Sequence, residues 1–250
     1  LRYIGGVDLS FAHNSKTQAC AALVVLEYPS LKVLEAVSPC QLLHEEYEMV
    51  ELRHPYIAGF LAFREVPHLL PLLNKLRKKR PEIMPQVIFV DGNGVLHFRG
   101  ALLTHILAGF GIASHLGVVS GIPCIGVAKT LLYVDGFTNE NVAEMAAGKL
   151  NKAGDFVDMK GASGRVWGTM LRPSDDAVVP VFVRLVVASV KCCSVGHRFS
   201  LASATALTIL VCWVLSYGTQ VSRERIPEPI RRADLGSREV VAKFERSQRG

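Results

Sequence analysis

No CxxC pair occurs among the six cysteines, Cys20, Cys40, Cys124, Cys192, Cys193 and Cys212, so the spacing of a zinc ribbon is excluded. Several of them sit in apolar runs, where cysteine acts as a small buried hydrophobe, and a reducing intracellular compartment is expected. Internal repeats and low-complexity segments are also lacking. There is no signal peptide and no initiator methionine, and the chain opens at Leu1 directly in a strand-like segment, so a true N-terminus upstream is expected. Charge is sparse at 20% of residues and half of the residues are apolar, which excludes a disordered chain. Charge is absent altogether from Leu201 to Gly218. That run is near the lower length limit of a spanning helix, but Ser203, Thr205, Thr208 and Ser216 dilute it, and a buried helix is the expectation.

What is present is enough chain, 250 residues, for one large α/β domain. The net charge of +6 is compatible with a polyanionic partner. Tyr3–Phe11 and Ala19–Leu26 read as strands joined by a turn at His13-Asn14-Ser15-Lys16, and Leu31–Val37 as a third. Ala58–Arg80 has helical periodicity, with Pro67 and Pro71 predicting a kink or split. Pro85–Val90 is an apolar strand, 110–119 a helix, 122–127 a fifth strand, and 166–171 and 178–190 can add more. The order β-β-β-α-β-α-β predicts a mixed sheet with helices on its faces. The segment 222–250 carries eight basic and five acidic residues and reads as a solvated helix or tail.

Asp91 closes the apolar run Val87-Ile88-Phe89-Val90 and is followed by Gly92-Asn93-Gly94; Asp8 closes Ile4-Gly5-Gly6-Val7. Two strand-end carboxylates either cap backbone turns or share a divalent cation, since Mg²⁺ takes one or two carboxylates plus waters and phosphate oxygens. Glu65 lies in an otherwise apolar helix, either solvated or as a third acidic ligand. Lys129 follows Gly126-Val127-Ala128 and is suited to contact a phosphate as a point charge. His97 and His197 are lone histidines, either bland or functional. Tyr56, in Pro55-Tyr56-Ile57-Ala58-Gly59, either packs its loop or stacks on a base.

Five motifs then occur in order: Gly5-Gly6-Val7-Asp8; Pro55-Tyr56-Ile57 with Phe63-Arg64-Glu65; Asp91-Gly92-Asn93-Gly94 with His97; Gly126-Val127-Ala128-Lys129; and Gly196-His197 with Ser200-Leu201. Together they resemble the endonuclease V family, in its vertebrate form. The resemblance implies an RNase H-like α/β fold, a mixed five-stranded sheet with helices on both faces. It implies Mg²⁺-dependent hydrolysis, with Mn²⁺ able to substitute, of the second phosphodiester bond 3′ to inosine in single-stranded RNA or deaminated DNA. By the same carry-over Asp8 and Asp91 bind metal, Glu65 completes the acidic site, Lys129 contacts phosphate and His197 assists the attacking water. Tyr56 is the wedge, and Gly94 and His97 lie near the base pocket. A monomer without stable membrane association, in cytoplasm and nucleus including the nucleolus, is expected.

The resemblance covers residues 1–238, leaving 239–250 as a basic tail, and lacks the family's N-terminal helix before Leu1. Apolar stretches near 101–109, 184–193 and 209–221 interrupt it. Surface insertions are ordinarily polar, so retained or mis-predicted coding sequence is expected in some of them. Two further readings follow: an inosine-binding protein with impaired catalysis, or a membrane-associated protein using 201–218.

Overall fold

In a computed structural model, residues 1–27, 41–55, 57, 60–94, 110–129, 131–172, 175, 181–185, 201–213 and 227–248 are described. One mixed sheet organises them, in the order β3-β2-β1-β4-β5-β8-β7-β6. Its first five strands are the expected core: β1 (Tyr3–Phe11), β2 (Gln18–Glu27), β3 (Gln41–Glu51), β4 (Val87–Asp91) and β5 (Cys124–Ala128). β1 pairs antiparallel with β2 and parallel with β4, and β4 runs parallel to β5. Beyond β5 the sheet continues through β8 (Val181–Leu185), β7 (Val166–Leu171) and β6 (Phe156–Lys160), all antiparallel.

Strand alternation sorts the core into two layers. Val7, Leu9, Leu23, Val25, Ile88 and Val90 face α1 (Leu61–Lys79) and α2 (Ile112–Ser120). Ile4, Val24, Leu26, Val87 and Phe89 face α4 (Leu201–Trp213) and α5 (Glu228–Ser247). Helices therefore cover both faces. A smaller core around Met159, Trp167 and Met170 packs β6 and β7 against α3 (Asn139–Ala146).

Several expectations need correction. The third strand lies at Gln41–Glu51, while 31–37 falls outside the described residues. β3 carries Glu45, Glu46, Glu48 and Glu51 because it is the edge strand, where charge blocks further pairing, and that composition hides it from a hydrophobicity reading. α1 is neither split nor interrupted by Pro67 and Pro71. Phe63, Pro67 and Pro71 form an exposed stripe at four-residue spacing, so the carbonyls that lose their N–H partners face water. Residues 239–247, assigned to a tail, continue α5 without a break. Two of the apparent inserts begin inside regular elements: Arg184 and Leu185 belong to β8, and Val211 is buried within α4. No helix among the described residues is long and apolar enough to cross a membrane. Cys20 and Cys124 are free and buried, and burial pushes the Cys20 thiol up to about 11, so both act as inert core residues.

Candidate active site

β1 and β4 run side by side with Val7 opposite Val90, so their next residues, Asp8 and Asp91, emerge together where the parallel pairing stops: Asp91 ends β4, while Asp8 lies inside β1, which runs on to Phe11, so the expectation of a strand end holds for Asp91 alone. Both share the strand face that packs against α5. Glycine makes the arrangement compact. A Cβ on Gly6 would fall 2.1 Å from the carbonyl oxygen of Pro229, so α5 begins directly against the β1 backbone. Ser237 of α5 is locked to Ser10 of β1 by a buried hydroxyl pair 2.7 Å apart, and the Glu245 carboxylate accepts from the His13 amide at 2.6 Å. Between these anchors α5 presents Asp234 to the strand ends.

The turn after Asp91 is equally constrained. Gly92 adopts φ +145°, a conformation that L side chains rarely take, and a Cβ on Gly126 would lie 2.6 Å from the Gly92 oxygen. The Asn93 carbonyl accepts from Ala113 at the start of α2, and the Gly111 amide donates to the Gly94 oxygen at 2.8 Å. Gly94 is thus a buried backbone position at the helix start.

Lys129, just past β5, places its Nζ 2.9 Å from Asp91 Oδ2. Arg238, one turn after Asp234, places its Nε 2.6 Å from Asp234 Oδ1. Asp8, Asp91, Lys129, Asp234, Arg238 and Glu245 line one cleft of about 660 Å³. Glu65 enters from the opposite face, on α1, and is only 7% exposed.

The electrostatics show crowding of like charge. Burial pushes Asp8 up to about 7, and the neighbouring Asp91 and Asp234 add to the rise. Burial pushes Glu65 up to about 8, with Asp8 and Asp91 contributing and Arg64 opposing. An all-oxygen donor set whose members repel one another suits a hard divalent cation, which would relieve the repulsion. Among the described residues, no three His, Cys, Asp or Glu side chains stand in a ready-made cage.

Of the residues singled out from the sequence, Asp8, Glu65, Asp91 and Lys129 come together and Gly94 lies on the adjoining turn. Tyr56, His97 and His197 lie outside the described residues. Asp234 escaped sequence reasoning. The available signal was the stripe Ile230, Ala233, Ser237, Val241, all buried at helical spacing, which marks 228–247 as a packed helix with Asp234 beside its buried edge.

The family model for endonuclease V matches residues 1–235. The chain belongs to the endonuclease V family. Mouse endonuclease V is 46% identical over 241 residues, covering 96% of this chain; the chain spans 60% of that relative's length. The crystal structure of human endonuclease V is 43% identical with a TM-score of 0.77, covering 98% of this chain and 86% of that one. Ciona intestinalis endonuclease V, solved in complex with a 24mer DNA containing an inosine followed by a ribo-adenosine, is 28% identical with a TM-score of 0.74, covering 97% and 87%. The fold is the RNase H-like one of these endonuclease V structures, and the resemblance carried by the five motifs extends along nearly the whole chain.

Proposed function

We propose that this chain is a divalent-cation-dependent nuclease that cleaves inosine-containing single strands, RNA or deaminated DNA, at the second phosphodiester bond 3′ to the inosine. The observation that carries the reading is the convergence of Asp8, Asp91, Glu65 and Asp234 where the pairing of β1 with β4 stops, with two of these acids raised toward neutrality. The Ciona relative, solved with inosine-containing DNA, supports the substrate class.

Asp8 and Asp91 would hold the cation, Mg²⁺ with Mn²⁺ able to substitute, and Glu65 and Asp234 would add acidic groups from α1 and α5. When bound, the cation supplies charge neutralisation at the scissile phosphate and activation of water. Burial holds the Glu65 carboxyl up to about 8, so binding of a cation beside it would be accompanied by release of a proton. Lys129 contacts the phosphate as a point charge. His197 assists the attacking water. Reading a base requires taking it out of its stack, the role assigned to Tyr56 as wedge, with Gly94 and His97 beside the extruded hypoxanthine. The protein acts as a monomer in cytoplasm and nucleus, the nucleolus included, a location that imaging of the tagged chain tests.

The deciding assay uses purified protein, Mg²⁺ and single-stranded RNA or DNA carrying one inosine, beside guanosine controls. Cleavage of the inosine strands alone is expected, and Asp91→Ala should lower it by at least about a thousandfold. Equal cutting of guanosine controls would overturn the specificity. Cutting that persists in EDTA would overturn the cation requirement.

A further inference from the structure

We propose that Arg238 is a substrate-positioning residue held in reserve: it neutralises Asp234 in the cation-free protein and is released to a phosphate of the nucleic acid strand when the divalent cation enters. The inference rests on the nuclease reading above and adds to it a residue and an order of events.

Three observations carry it. First, the cleft holds two carboxylate–cation pairs, not one: Lys129 with Asp91 and Arg238 with Asp234. Each covers a carboxylate that lines the same cleft and adds to the charge crowding at Asp8. Second, the Arg238 contact is built to be exchanged. It is a single bond from Nε, on a side chain 66% exposed, and among the described residues no hydrogen bond engages either of its Nη atoms. The guanidinium end of this pair, four residues from its partner on the helix, lies largely in solvent while Asp234 is only 16% exposed, so the arginine is the partner that can leave. Third, the same helix shows what a permanent clamp looks like. Glu228 is 3% exposed and receives Arg231 through both Nε and Nη2 and Arg232 through Nε, three bonds on one buried carboxylate. Arg238 has none of that redundancy.

The chemistry of the freed group fits the proposed substrate. A guanidinium presents paired N–H donors that match two phosphate oxygens. With Asp234 engaged by a cation, Arg238 would stand one helical turn away on the wall of the cleft that Lys129 also lines, with its full donor set available. The two pairs thus work as an ion exchange: the cation takes the carboxylates, and the two basic side chains take the strand.

The test separates binding from cleavage. Wild type, Arg238→Ala and Arg238→Lys are titrated with a fluorescent inosine-containing RNA, once in EDTA and once in Ca²⁺, and Ca²⁺ affinity is measured calorimetrically on RNA-free protein. The expected result is that Arg238→Ala weakens RNA binding about tenfold in Ca²⁺ and hardly at all in EDTA, lowers the salt slope by about 1 in Ca²⁺ only, and binds Ca²⁺ severalfold more tightly because Asp234 has lost its competitor. Arg238→Lys, keeping the charge without the fork, should fall between. Equal loss of RNA binding in EDTA and Ca²⁺, no loss in either, or unchanged Ca²⁺ affinity would each overturn the exchange. If wild type itself neither prefers inosine RNA nor responds to the cation, the nuclease reading falls with it. If wild type does both while Arg238→Ala matches it, only this proposal falls.

Discussion

Glu65 and Asp234 reach the same pair of strand carboxylates from opposite faces of the sheet, and they are held in opposite ways. Glu65 sits within the apolar layer under α1, and its sequence neighbour Arg64 spends its guanidinium elsewhere, on the Lys16 carbonyl at 2.6 Å and over the Phe11 ring at 5.3 Å. Burial and the two aspartates therefore dominate, and Glu65 is pushed up to about 8. Asp234 sits on the cleft wall with Arg238 bonded to it. One wall of the site stores its charge as a proton and the other as an ion pair. Under the proposed exchange, a cation arriving between them would displace a proton on one side and an arginine on the other, so pH and salt would act on different walls.

Breaking one wall at a time sharpens that contrast. The largest effect is expected from removing the carboxylates. Glu65→Gln and Asp234→Asn should each lower cleavage by at least about a hundredfold, measured on an inosine-containing strand with Mg²⁺. They should differ in the cation-free protein: at pH 8 Glu65→Gln should raise the melting temperature by about 2–6 °C, because a repelled buried charge is gone, whereas Asp234→Asn should not. An equal rise in both variants would erase the distinction.

An intermediate effect is expected from Gly6→Ala. The added methyl meets the Pro229 carbonyl, so α5 must retreat and carry Asp234 with it. A destabilisation of about 1–3 kcal/mol in a denaturant titration is expected, with cleavage about a hundredfold lower from misplacement alone. The α1 wall should survive, so the proton release on cation binding assigned to Glu65 should persist in the variant.

The smallest effect is the pH dependence of the intact protein without cation. Asp8 and Glu65 titrate above their ordinary values, so the folded state holds protons that the unfolded chain has already lost. Their contribution is fully present below about pH 4 and falls away as pH rises through the window up to about 7 for Asp8 and 8 for Glu65. Thermal melts in EDTA should therefore decline across that window, and saturating Mg²⁺ should flatten the decline. A cation-free stability that rises between pH 5 and 8 would contradict the buried placement of both acids.

Much of this site was legible before any coordinates. Asp8 and Asp91 announce themselves because each ends an apolar run, and Glu65 because a carboxylate inside an apolar helix demands a partner. Strand β7 falls at the residues its β-branched and aromatic content suggests. What stayed hidden has a common cause: charge that serves a fold reads in sequence like charge that faces water. β3 is acidic because it guards an edge, and α5 is charged along one side while its other side packs on the sheet. Asp234 lies 226 positions from Asp8 along the chain and meets it only because two backbones touch at Gly6 and Pro229. No local pattern records such a contact.

The bond between Gly111 and Gly94 has a consequence for the apolar stretch at 101–109. Strand β4 ends at Asp91, and the Gly94 carbonyl three residues on accepts from the Gly111 amide that opens α2. Sixteen residues connect them; without the stretch there would be seven. The two ends of that connection are latched to each other, and the Asn93 carbonyl is tied to Ala113 as well, so the turn that follows Asp91 is fixed by contacts made entirely outside the stretch.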